Sequence, residues 1–321
     1  MPVLISEKLV DWYLKAYRKL PWRKTKDPYK IWISEVILQQ TRVEQGLPYY
    51  RSFLKTFPDV KSLASAPLQK VLKQWQGLGY YSRARNLHHA ARQIVEERKG
   101  KFPSEFVELL KLKGIGHYTA AAVASIAFNK PHAVVDGNVM RVLSRLFAVS
   151  LPVNSTAGIK FYREKADSIL DRKNPALHNQ AMMELGALIC KPVNPLCNEC
   201  VLRNECKAFQ TGKVNRFPVK EKKSSPEIIS LHFLIIRKGE ELIIRQRSGK
   251  GIWKGLFEFP SFEKKGRAKW NPEEIKNKLL QTGIYGFSMQ THPEEIKHLL
   301  SHRTIFATFS FVNASQINRK K

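Results

Sequence analysis

The sequence predicts a helical first half followed by a small α+β domain, and two changes along the chain indicate this division. Up to about residue 209, apolar residues recur at helical spacing and prolines separate short helical stretches. Residues 217–226, FPVKEKKSSP, combine charges, serines and two prolines without apolar periodicity, as linkers do. Beyond them the apolar spacing becomes that of strands. We therefore expect a helical domain at 1–216, a linker at 217–227 and an α+β domain at 228–321.

The charge balance of the chain is strongly basic. Its 321 residues include 55 Lys and Arg against 27 Asp and Glu, which gives a formal net charge of +28. Because 43% of the residues are hydrophobic, the composition is that of a folded protein and not of a disordered polycation. Such an excess of charge repels itself on a folded surface unless a polyanion neutralises it. Nucleic acid is therefore the favoured partner, ahead of an anionic membrane or a role in solubility alone.

Hydropathy predicts no membrane segment. The most apolar run, Ala120 to Phe128, is far shorter than the about 18 residues that cross a bilayer. Glu7, Lys8 and Asp11 interrupt the apolar pattern near the N-terminus, where a secretory signal would be uncharged. The sequence thus predicts a cytoplasmic protein with no membrane association.

A first helix of interest is predicted around Trp32, because Trp32, Ile33, Val36 and Ile37 recur at helical spacing. Glu35 is a carboxylate on this helix with mostly apolar neighbours. It could be an ordinary charge on a solvated helix face. Burial would instead raise its pKa, as a general acid that works near neutral pH requires.

Two glycines, Gly114 and Gly116, stand in LKGIGHYTA (112–120), directly before an Ala-rich helix predicted at Thr119 to Phe128. Glycines allow a sharp turn and a close approach of backbone to ligand. The free amides at the start of a helix bind anions, and a DNA phosphate would suit them. An ordinary turn between two helices would show the same pattern.

A second carboxylate, Asp136, stands in VVDGNVMR just before a helix predicted at Val139 to Phe147. Taken alone, it is best interpreted as the N-cap of that helix. It follows the glycine hairpin by about twenty residues and occurs in the same chain as Glu35, which makes it a candidate functional residue.

All four cysteines, Cys190, Cys197, Cys200 and Cys206, fall within one segment with six, two and five residues between them. An intracellular chain disfavours disulfides, so this clustering predicts a metal centre. Four thiolates suit zinc or an iron–sulfur cluster equally well, although the spacing is unlike the two close pairs of a zinc ribbon.

The second domain is predicted from alternating apolar residues. Two strands are expected at 228–236 and 242–245, joined by a turn at 237–240, and one helix at about 272–282. A further strand is predicted near the end, where Ile305, Ala307, Phe309 and Phe311 alternate with Phe306, Thr308 and Ser310.

These motifs together resemble the helix–hairpin–helix DNA glycosylases related to endonuclease III. The resemblance rests on GIGHYTA followed by VVDGNVMRVLSRLF, on ISEVILQQTRV and on the cysteine spacing. The segments PWR (21–23), QGLGYYSRARNL (76–87), NQAMMELGALIC (179–190) and GIWKGLFEFP (251–260) are similar to the adenine-specific MutY branch. About 200 residues of the helical half take part.

The resemblance implies a particular fold. The N-terminal domain would be an all-α helix–hairpin–helix glycosylase fold, with a six-helix part at about 22–130 that contains the hairpin at 112–119. Residues 1–21 and 131–216 would form a second part, whose iron–sulfur cluster loop at 190–206 holds one [4Fe-4S] cluster on the four cysteines. The C-terminal domain at 228–321 would be α+β and Nudix-like, and would recognise 8-oxoguanine.

The resemblance also implies base-excision repair by a monomeric, nucleoid-associated bacterial enzyme. Its partner would be double-stranded DNA that contains adenine opposite 8-oxoguanine or guanine. Glu35 would protonate N7 of the extruded adenine, and Asp136 would stabilise the cationic sugar. Tyr118 occupies the position at which bifunctional relatives carry a nucleophilic lysine, so the enzyme would be monofunctional and leave an abasic site.

The DNA contacts implied by the resemblance extend beyond these three residues. Arg23, Gln40 and Gln180 would surround the adenine, and Tyr80 would enter the helix as a wedge. Gly114 and Gly116 would bind a phosphate, and Arg203 and Lys207 would face other phosphates. Ser301 and His302 would contact 8-oxoguanine. Leu300 replaces an aromatic residue that is usual in the family, and the acidic metal box of Nudix hydrolases is missing, so we expect recognition without hydrolysis. Two alternatives remain: an endonuclease III-like bifunctional glycosylase/lyase, and a non-catalytic binder of damaged DNA.

Overall fold

The computed structural model describes residues 2–222, 225–248, 251–300 and 302–317. The chain divides into two compact units, Met1–Glu221 and Lys222–Lys321. Within the described residues, no helix is both long enough and apolar enough to span a bilayer.

The regular elements described in the first unit are all helical, which confirms the predicted all-α class. The α-helices are α1 Pro2–Ala16, α2 Pro28–Leu38, α3 Val43–Thr56, α4 Val60–Ser65, α5 Leu68–Gln74, α6 Ser82–Arg98, α7 Phe106–Leu110, α8 His117–Phe128, α9 Gly137–Leu146, α10 Thr156–Ser168, α11 Pro175–Leu188 and α12 Lys207–Gln210. Short 3₁₀ helices lie at Pro21–Arg23, Cys197–Glu199, Arg203–Glu205 and Val214–Arg216.

Helix packing brings three helix segments together. Helix α8 contacts both α2 and α11, and α11 in turn contacts α1 and α9. A core of apolar side chains holds α1, α9, α10 and α11 together, and it includes Leu9, Leu143, Tyr162 and Leu185. This arrangement directs the middle of α2, the start of α8 and the start of α9 toward one region.

The turn between α7 and α8 depends on a glycine. Gly114 has a φ of 78°, in the left-handed region that favours glycine, and a Cβ at this position would lie 2.5 Å from the Cβ of Asn86. Gly116 is the N-cap of α8. The hairpin expected at 112–119 is therefore a tight turn that ends at a helix N-terminus.

The second unit is a mixed sheet with one helix. Its elements are β1 Glu227–Lys238, β2 Glu241–Leu242, β3 Arg245–Gln246, β4 Phe257–Glu258, β5 Ser261–Lys265, α13 Pro272–Gln281, β6 Ile284–Thr291, β7 Ile296–Leu299 and β8 Arg303–Ile317. The sheet order is β2-β1-β8-β6, with β5 also paired to β1 and β7 to β8, while β3 and β4 form a separate pair. Strands β1 and β8 are parallel, from Glu227 opposite Arg303 to Arg237 opposite Asn313.

Two details of this domain differ from the prediction. The single strand expected at 242–245 is two short pieces, β2 and β3, which belong to different sheets. In β8, Ser310 is fully buried whereas Phe311 is 46% exposed, the reverse of what their polarity predicts. Ser310 is buried because its hydroxyl hydrogen-bonds the ring of His232 on β1 and the hydroxyl of Thr291 on β6.

Candidate active site

A cleft of about 480 Å³ opens in the helical unit at the meeting point of α2, α8, α9 and α11. Five of the predicted site residues line it: Arg23, Glu35, Tyr118, Asp136 and Gln180. These residues are scattered over most of the helical domain in the sequence. The fold therefore gathers the two carboxylates, Tyr118 and two of the three predicted adenine contacts into one place.

Glu35 lies on the buried face of α2, and only 6% of its surface is exposed. Burial raises the pKa of Glu35 to about 7, and the nearby Asp136 acts in the same direction. A hydrogen bond from the hydroxyl of Tyr118 acts in the opposite direction because it stabilises the carboxylate. Glu35 can therefore hold or release a proton close to neutral pH.

Tyr118 is the second residue of α8, and its hydroxyl donates a hydrogen bond to Oε2 of Glu35. The hydroxyl oxygen of Tyr118 also lies 3.8 Å from Sδ of Met183. Burial and the two neighbouring carboxylates raise the pKa of Tyr118 well above its usual value. The phenol is therefore a neutral hydrogen-bond donor at any physiological pH.

Asp136 is the N-cap of α9, and each of its carboxylate oxygens accepts a hydrogen bond. Oδ1 accepts from the backbone N–H of Val139 at 2.7 Å, and Oδ2 accepts from the amide of Asn138 at 2.8 Å. Asn138 is held in turn by Arg141, which donates to Asn138 Oδ1 at 2.8 Å and to the carbonyl of Cys190 at 2.7 Å. Capping and a site role are thus combined in one side chain with a fixed orientation.

The electrostatics of Asp136 differ from what a helix N-terminus alone predicts. Donors at the start of a helix lower the pKa of a nearby carboxyl group. Burial raises the pKa of Asp136 above its usual value, and the bonds from Val139 and Asn138 offset only part of this effect. Desolvation in the cleft therefore outweighs the donors at the start of α9.

A second wall of the cleft contains Glu184, which the sequence prediction missed. Glu184 is completely buried and accepts hydrogen bonds from Arg23 at 2.6 Å and from Arg18 at 2.7 Å. Burial acts to raise its pKa, but the two guanidinium groups lower the pKa of Glu184 to about 2. Glu184 follows Gln180 by one helical turn, so helical spacing from Gln180 was the available signal.

Gln180 and Arg23 are linked through a tyrosine. The hydroxyl of Tyr13 donates to Oε1 of Gln180 at 2.9 Å, and the guanidinium of Arg23 lies 5.6 Å from the centre of the Tyr13 ring. Both polar side chains are thus held in defined positions at the wall of the cleft.

Four predicted DNA contacts lie outside the lining of the cleft. Gln40 and Tyr80 are exposed and follow the ends of α2 and α5, in loops with φ values of 58° and 48°. Gly114 and Gly116 lie on the surface turn before α8. None of the four lines the cleft with the two carboxylates, so Gln40 is separated from Arg23 and Gln180, the other two predicted adenine contacts.

The four cysteines line one small cavity together with Arg145 and residues of the loop after α11. Arg145 donates to Sγ of Cys190 at 3.3 Å, and the thiol of Cys206 is 3.5 Å from the carbonyl of Arg145. In the described part of the chain, no three His, Cys, Asp or Glu side chains are arranged to hold a single metal ion. Four thiols that face one cavity fit the ligand set of a metal centre, either zinc or an iron–sulfur cluster.

The predicted contacts of the C-terminal unit are described only in part. Ser301 lies outside the described residues. The carbonyl of His302 accepts from the backbone of Glu227 at 3.1 Å, which places His302 where β8 and β1 begin their pairing. Leu300 packs against a small apolar cluster that includes Ile305 and Trp253, so its side chain supports the start of β8.

Acidic residues of the second unit form ion pairs with basic side chains. Glu258 accepts from Arg245 at 3.1 Å and from Arg247 at 2.6 Å. Glu274 is 2.5 Å from the amine of Lys264.

Family comparisons agree with both halves of the chain. Residues 33–157 match the HhH-GPD superfamily of base excision DNA repair proteins, and residues 232–321 match the NUDIX domain. The fold class predicted from the sequence is thereby confirmed for both domains.

Curated relatives cover nearly the whole chain. The adenine DNA glycosylase of Buchnera aphidicola subsp. Baizongia pistaciae is 37% identical over 308 residues, which cover 95% of this chain and 84% of the relative. The human adenine DNA glycosylase is 34% identical over 355 aligned positions, which cover 92% of this chain and 64% of that protein.

Solved structures match the helical unit. A thermostable thymine-DNA glycosylase aligns with a TM-score of 0.60 and 28% identity, over 65% of this chain and 97% of that chain. A non-covalent endonuclease III–DNA complex shares the fold with a TM-score of 0.56 and 22% identity, over 65% of this chain and 94% of that chain. With the cleft and its buried carboxylate, these matches show that the chain belongs to the adenine DNA glycosylases, the base-excision repair hydrolases that act on the N-glycosidic bond of adenine in DNA.

Proposed function

We propose that this chain removes adenine opposite 8-oxoguanine or guanine and leaves an abasic site without cutting the strand. The proposal is carried by one observation: Glu35 and Tyr118 are hydrogen-bonded to each other in a cleft that Asp136 also lines. Two carboxylates of different environment face one cavity, and the residue beside them is a phenol instead of an amine.

Glu35 is the general acid of the proposed reaction. Adenine is a poor leaving group as an anion, so it must gain a proton at N7 before or during cleavage of the glycosidic bond. A pKa of about 7 allows Glu35 to carry that proton at neutral pH and to transfer it easily. The apolar surroundings of α2 are the physical source of this pKa.

Asp136 stabilises the cationic sugar that develops as the bond breaks. Its two hydrogen bonds hold the carboxylate in place before the reaction, so little reorganisation is required at the transition state. A positive charge on the sugar also favours the ionised form of Asp136 at the moment when it is needed. Water then completes the hydrolysis.

Tyr118 explains why strand cleavage is not expected. A lyase reaction needs an amine that forms a Schiff base with the opened sugar. A phenol cannot form an imine, and the raised pKa of Tyr118 keeps it from acting as an anionic nucleophile.

Arg23 and Gln180 are proposed to contact the extruded adenine. Both line the cleft, and each is oriented by a buried partner, Glu184 for Arg23 and Tyr13 for Gln180. Fixed donors and acceptors of this kind recognise the hydrogen-bonding edge of a flipped base.

Residues outside the cleft are proposed to hold the duplex. Gln40 would contact the extruded adenine from outside the cleft, and Tyr80 would enter the helix at the lesion. The amides near Gly114 and Gly116 would bind a phosphate at the start of α8. Arg203 and Lys207, both exposed in the loop of the cysteines, would face further phosphates.

One [4Fe-4S] cluster is proposed as the cofactor, held by Cys190, Cys197, Cys200 and Cys206. The cluster would cross-link the loop that carries Arg203 and Lys207, and it takes no part in the acid–base steps. Arg145 supports the proposal because it donates a hydrogen bond to Sγ of Cys190, as groups around a metal-binding sulfur commonly do.

The second unit is proposed to inspect the base opposite adenine through Ser301 and His302. Since Leu300 is part of an apolar cluster, hydrogen bonds and not stacking would distinguish 8-oxoguanine from guanine. We further propose that the enzyme works as a monomer in the bacterial cytoplasm, associated with the nucleoid.

The proposal is tested with duplexes that contain adenine opposite 8-oxoguanine, guanine or thymine. Strand breaks that appear only after hot alkali support a monofunctional glycosylase. Breaks without alkali would instead favour the bifunctional glycosylase/lyase, and binding without breaks would favour the non-catalytic binder. Equal rates on the thymine and 8-oxoguanine duplexes would contradict the proposed mispair specificity.

A further inference from the structure

We propose that Arg83 is a positioning residue that holds the loops of Gln40 and Tyr80 at a fixed separation, so that Tyr80 enters the duplex while Gln40 meets the extruded adenine. The proposal rests on the proposed function, because it takes Tyr80 to be the wedge and Gln40 to be a contact of the adenine. Arg83 is the second residue of α6 and lies between the two loops.

One side of the Arg83 guanidinium closes the C-terminal end of α2. Its Nη1 donates to the carbonyls of Val36 at 2.8 Å and Ile37 at 3.1 Å, and also to the carbonyl of Gln39. The last carbonyls of a helix have no partner within the helix, and a cation at this end also interacts favourably with the helix dipole.

The other side of the same guanidinium contacts the second loop. Its Nη2 donates to the carbonyls of Leu78 at 3.3 Å and Gly79 at 3.4 Å. The guanidinium carbon lies 5.3 Å from the ring centre of Trp75 and 5.6 Å from that of Tyr80. A single planar group therefore connects the end of α2 with the loop that follows α5.

The acceptors of Arg83 are placed where they control the two exposed side chains. The carbonyl of Gln39 belongs to the peptide that precedes Gln40, and the carbonyl of Gly79 belongs to the peptide that precedes Tyr80. Gln40 and Tyr80 both have left-handed backbones, with φ values of 58° and 48°. Non-glycine residues keep this conformation only where the surrounding structure enforces it. Arg83 fixes the peptide group before each of them, and so it sets the direction in which each side chain leaves the surface.

Arginine suits this task and lysine does not. The guanidinium offers five donors in a rigid plane, whereas an ammonium group is a single point that cannot serve both loops at once. Burial lowers the pKa of Arg83 to about 10, which still leaves it charged at neutral pH. Because Arg83 does not line the catalytic cleft, it would act on extrusion of the adenine and not on the bond-breaking step.

The test compares paired and unpaired adenine in single-turnover reactions. The full-length holoenzyme and its Arg83→Lys variant are given one duplex with adenine opposite 8-oxoguanine and another with the adenine unpaired in a bulge. Fluorescence of 2-aminopurine at the target position reports extrusion directly. The matched control is Arg92→Lys, on an exposed part of the same helix, where Arg92 pairs only at the surface with Glu96.

We expect Arg83→Lys to slow extrusion and excision of paired adenine by about tenfold or more, and to change the rate on bulged adenine by less than about threefold. An Arg83→Gln variant, which can serve one loop at a time, should show the same split between substrates. Arg92→Lys should resemble the unchanged enzyme on both duplexes.

Two results would overturn the positioning role: an equal loss on both substrates, as general destabilisation would cause, or no loss on either. A Gln40→Ala/Tyr80→Ala double variant separates this outcome from failure of the proposed DNA contacts. If the double variant extrudes paired adenine normally, those contacts are wrong, whatever Arg83→Lys does.

Discussion

The hydroxyl of Tyr118 donates its hydrogen bond to the buried carboxylate of Glu35, and this contact joins the hairpin helix α8 to the helix α2. The residue that the resemblance places at the position of the lyase nucleophile is thus hydrogen-bonded to the proposed general acid. The hydrogen bond from Tyr118 lowers the pKa of Glu35, whereas burial raises that pKa. The same side chain is therefore expected to exclude one reaction and to tune another.

We expect Tyr118→Phe to move the pH dependence of excision. The acid must be protonated, so the single-turnover rate is present below the pKa of Glu35, about 7, and is lost as the pH rises through it. Loss of the Tyr118 hydrogen bond removes an interaction with the carboxylate, so this loss of rate should move to higher pH. Rates measured across neutral pH test this, and an unchanged or lower midpoint would contradict it.

Glu35→Gln should abolish adenine release while binding to the mispaired duplex persists. Losing a general acid costs about 10² to 10⁴ in rate, whereas phosphate contacts elsewhere still hold the DNA. Single-turnover kinetics and a binding titration measure the two effects separately. Glu44→Gln is the matched control, because Glu44 lies on the same cleft but is exposed. Normal excision by the Glu35 variant would remove Glu35 from the mechanism.

Asp136→Asn separates a catalytic charge from a helix cap. Asparagine caps a helix about as well as aspartate, so the folded structure and its thermal midpoint should change little. The negative charge that faces the developing cation is lost, and excision should fall by about 10² or more. If the Asn variant keeps both its stability and its excision rate, Asp136 caps the helix and has no catalytic role.

Tyr118→Lys should introduce strand-cleaving activity. An amine at this position would lie beside the carboxylates that are proposed to face the sugar, and it could form the Schiff base that a phenol cannot. Borohydride should then trap a covalent protein–DNA complex that Tyr118→Phe does not form. Absence of a trapped complex with the Lys variant would mean that this position does not reach the sugar.

A chain that ends at residue 222 should excise adenine with reduced discrimination between 8-oxoguanine and guanine. Both carboxylates, the hairpin and the four cysteines lie in the unit Met1–Glu221, which is compact on its own. 8-Oxoguanine and guanine differ by one carbonyl and one N–H, so we expect the second unit to discriminate between them by about 1–3 kcal/mol. Comparison of rates on the two duplexes, with the iron content as a check on folding, measures it. An unchanged ratio would show that the helical unit reads both strands.

The sequence predicted Glu35 as a candidate but could not decide its burial. Helix α2 is buried at Tyr29 and at every residue from Ile31 to Ile37, so it has no narrow apolar stripe that would identify its inner side from the sequence. Only the packing of α8 against α2 shows that Glu35 points into a cleft.

Glu184 illustrates a different limit. Its partners Arg18 and Arg23 are more than 160 positions away in the chain, and neither local spacing nor composition relates such distant residues. The buried Ser310 is similar, because its burial depends on His232 from another strand. Local patterns predicted the elements, whereas long-range polar pairing decided these side chains.

The parallel pairing of β1 with β8 has a consequence for how the second unit folds. Glu227 meets Arg303, so the two central strands of the sheet are separated in the chain by nearly all the other elements of the unit. Contacts between residues so distant in sequence close a large loop and form slowly. During synthesis, β1 would leave the ribosome long before its partner and would expose an unpaired, apolar strand edge for that interval. The helical unit, made first, can already be complete at that time, so shortage of chaperone assistance should affect lesion recognition before it affects the glycosylase itself.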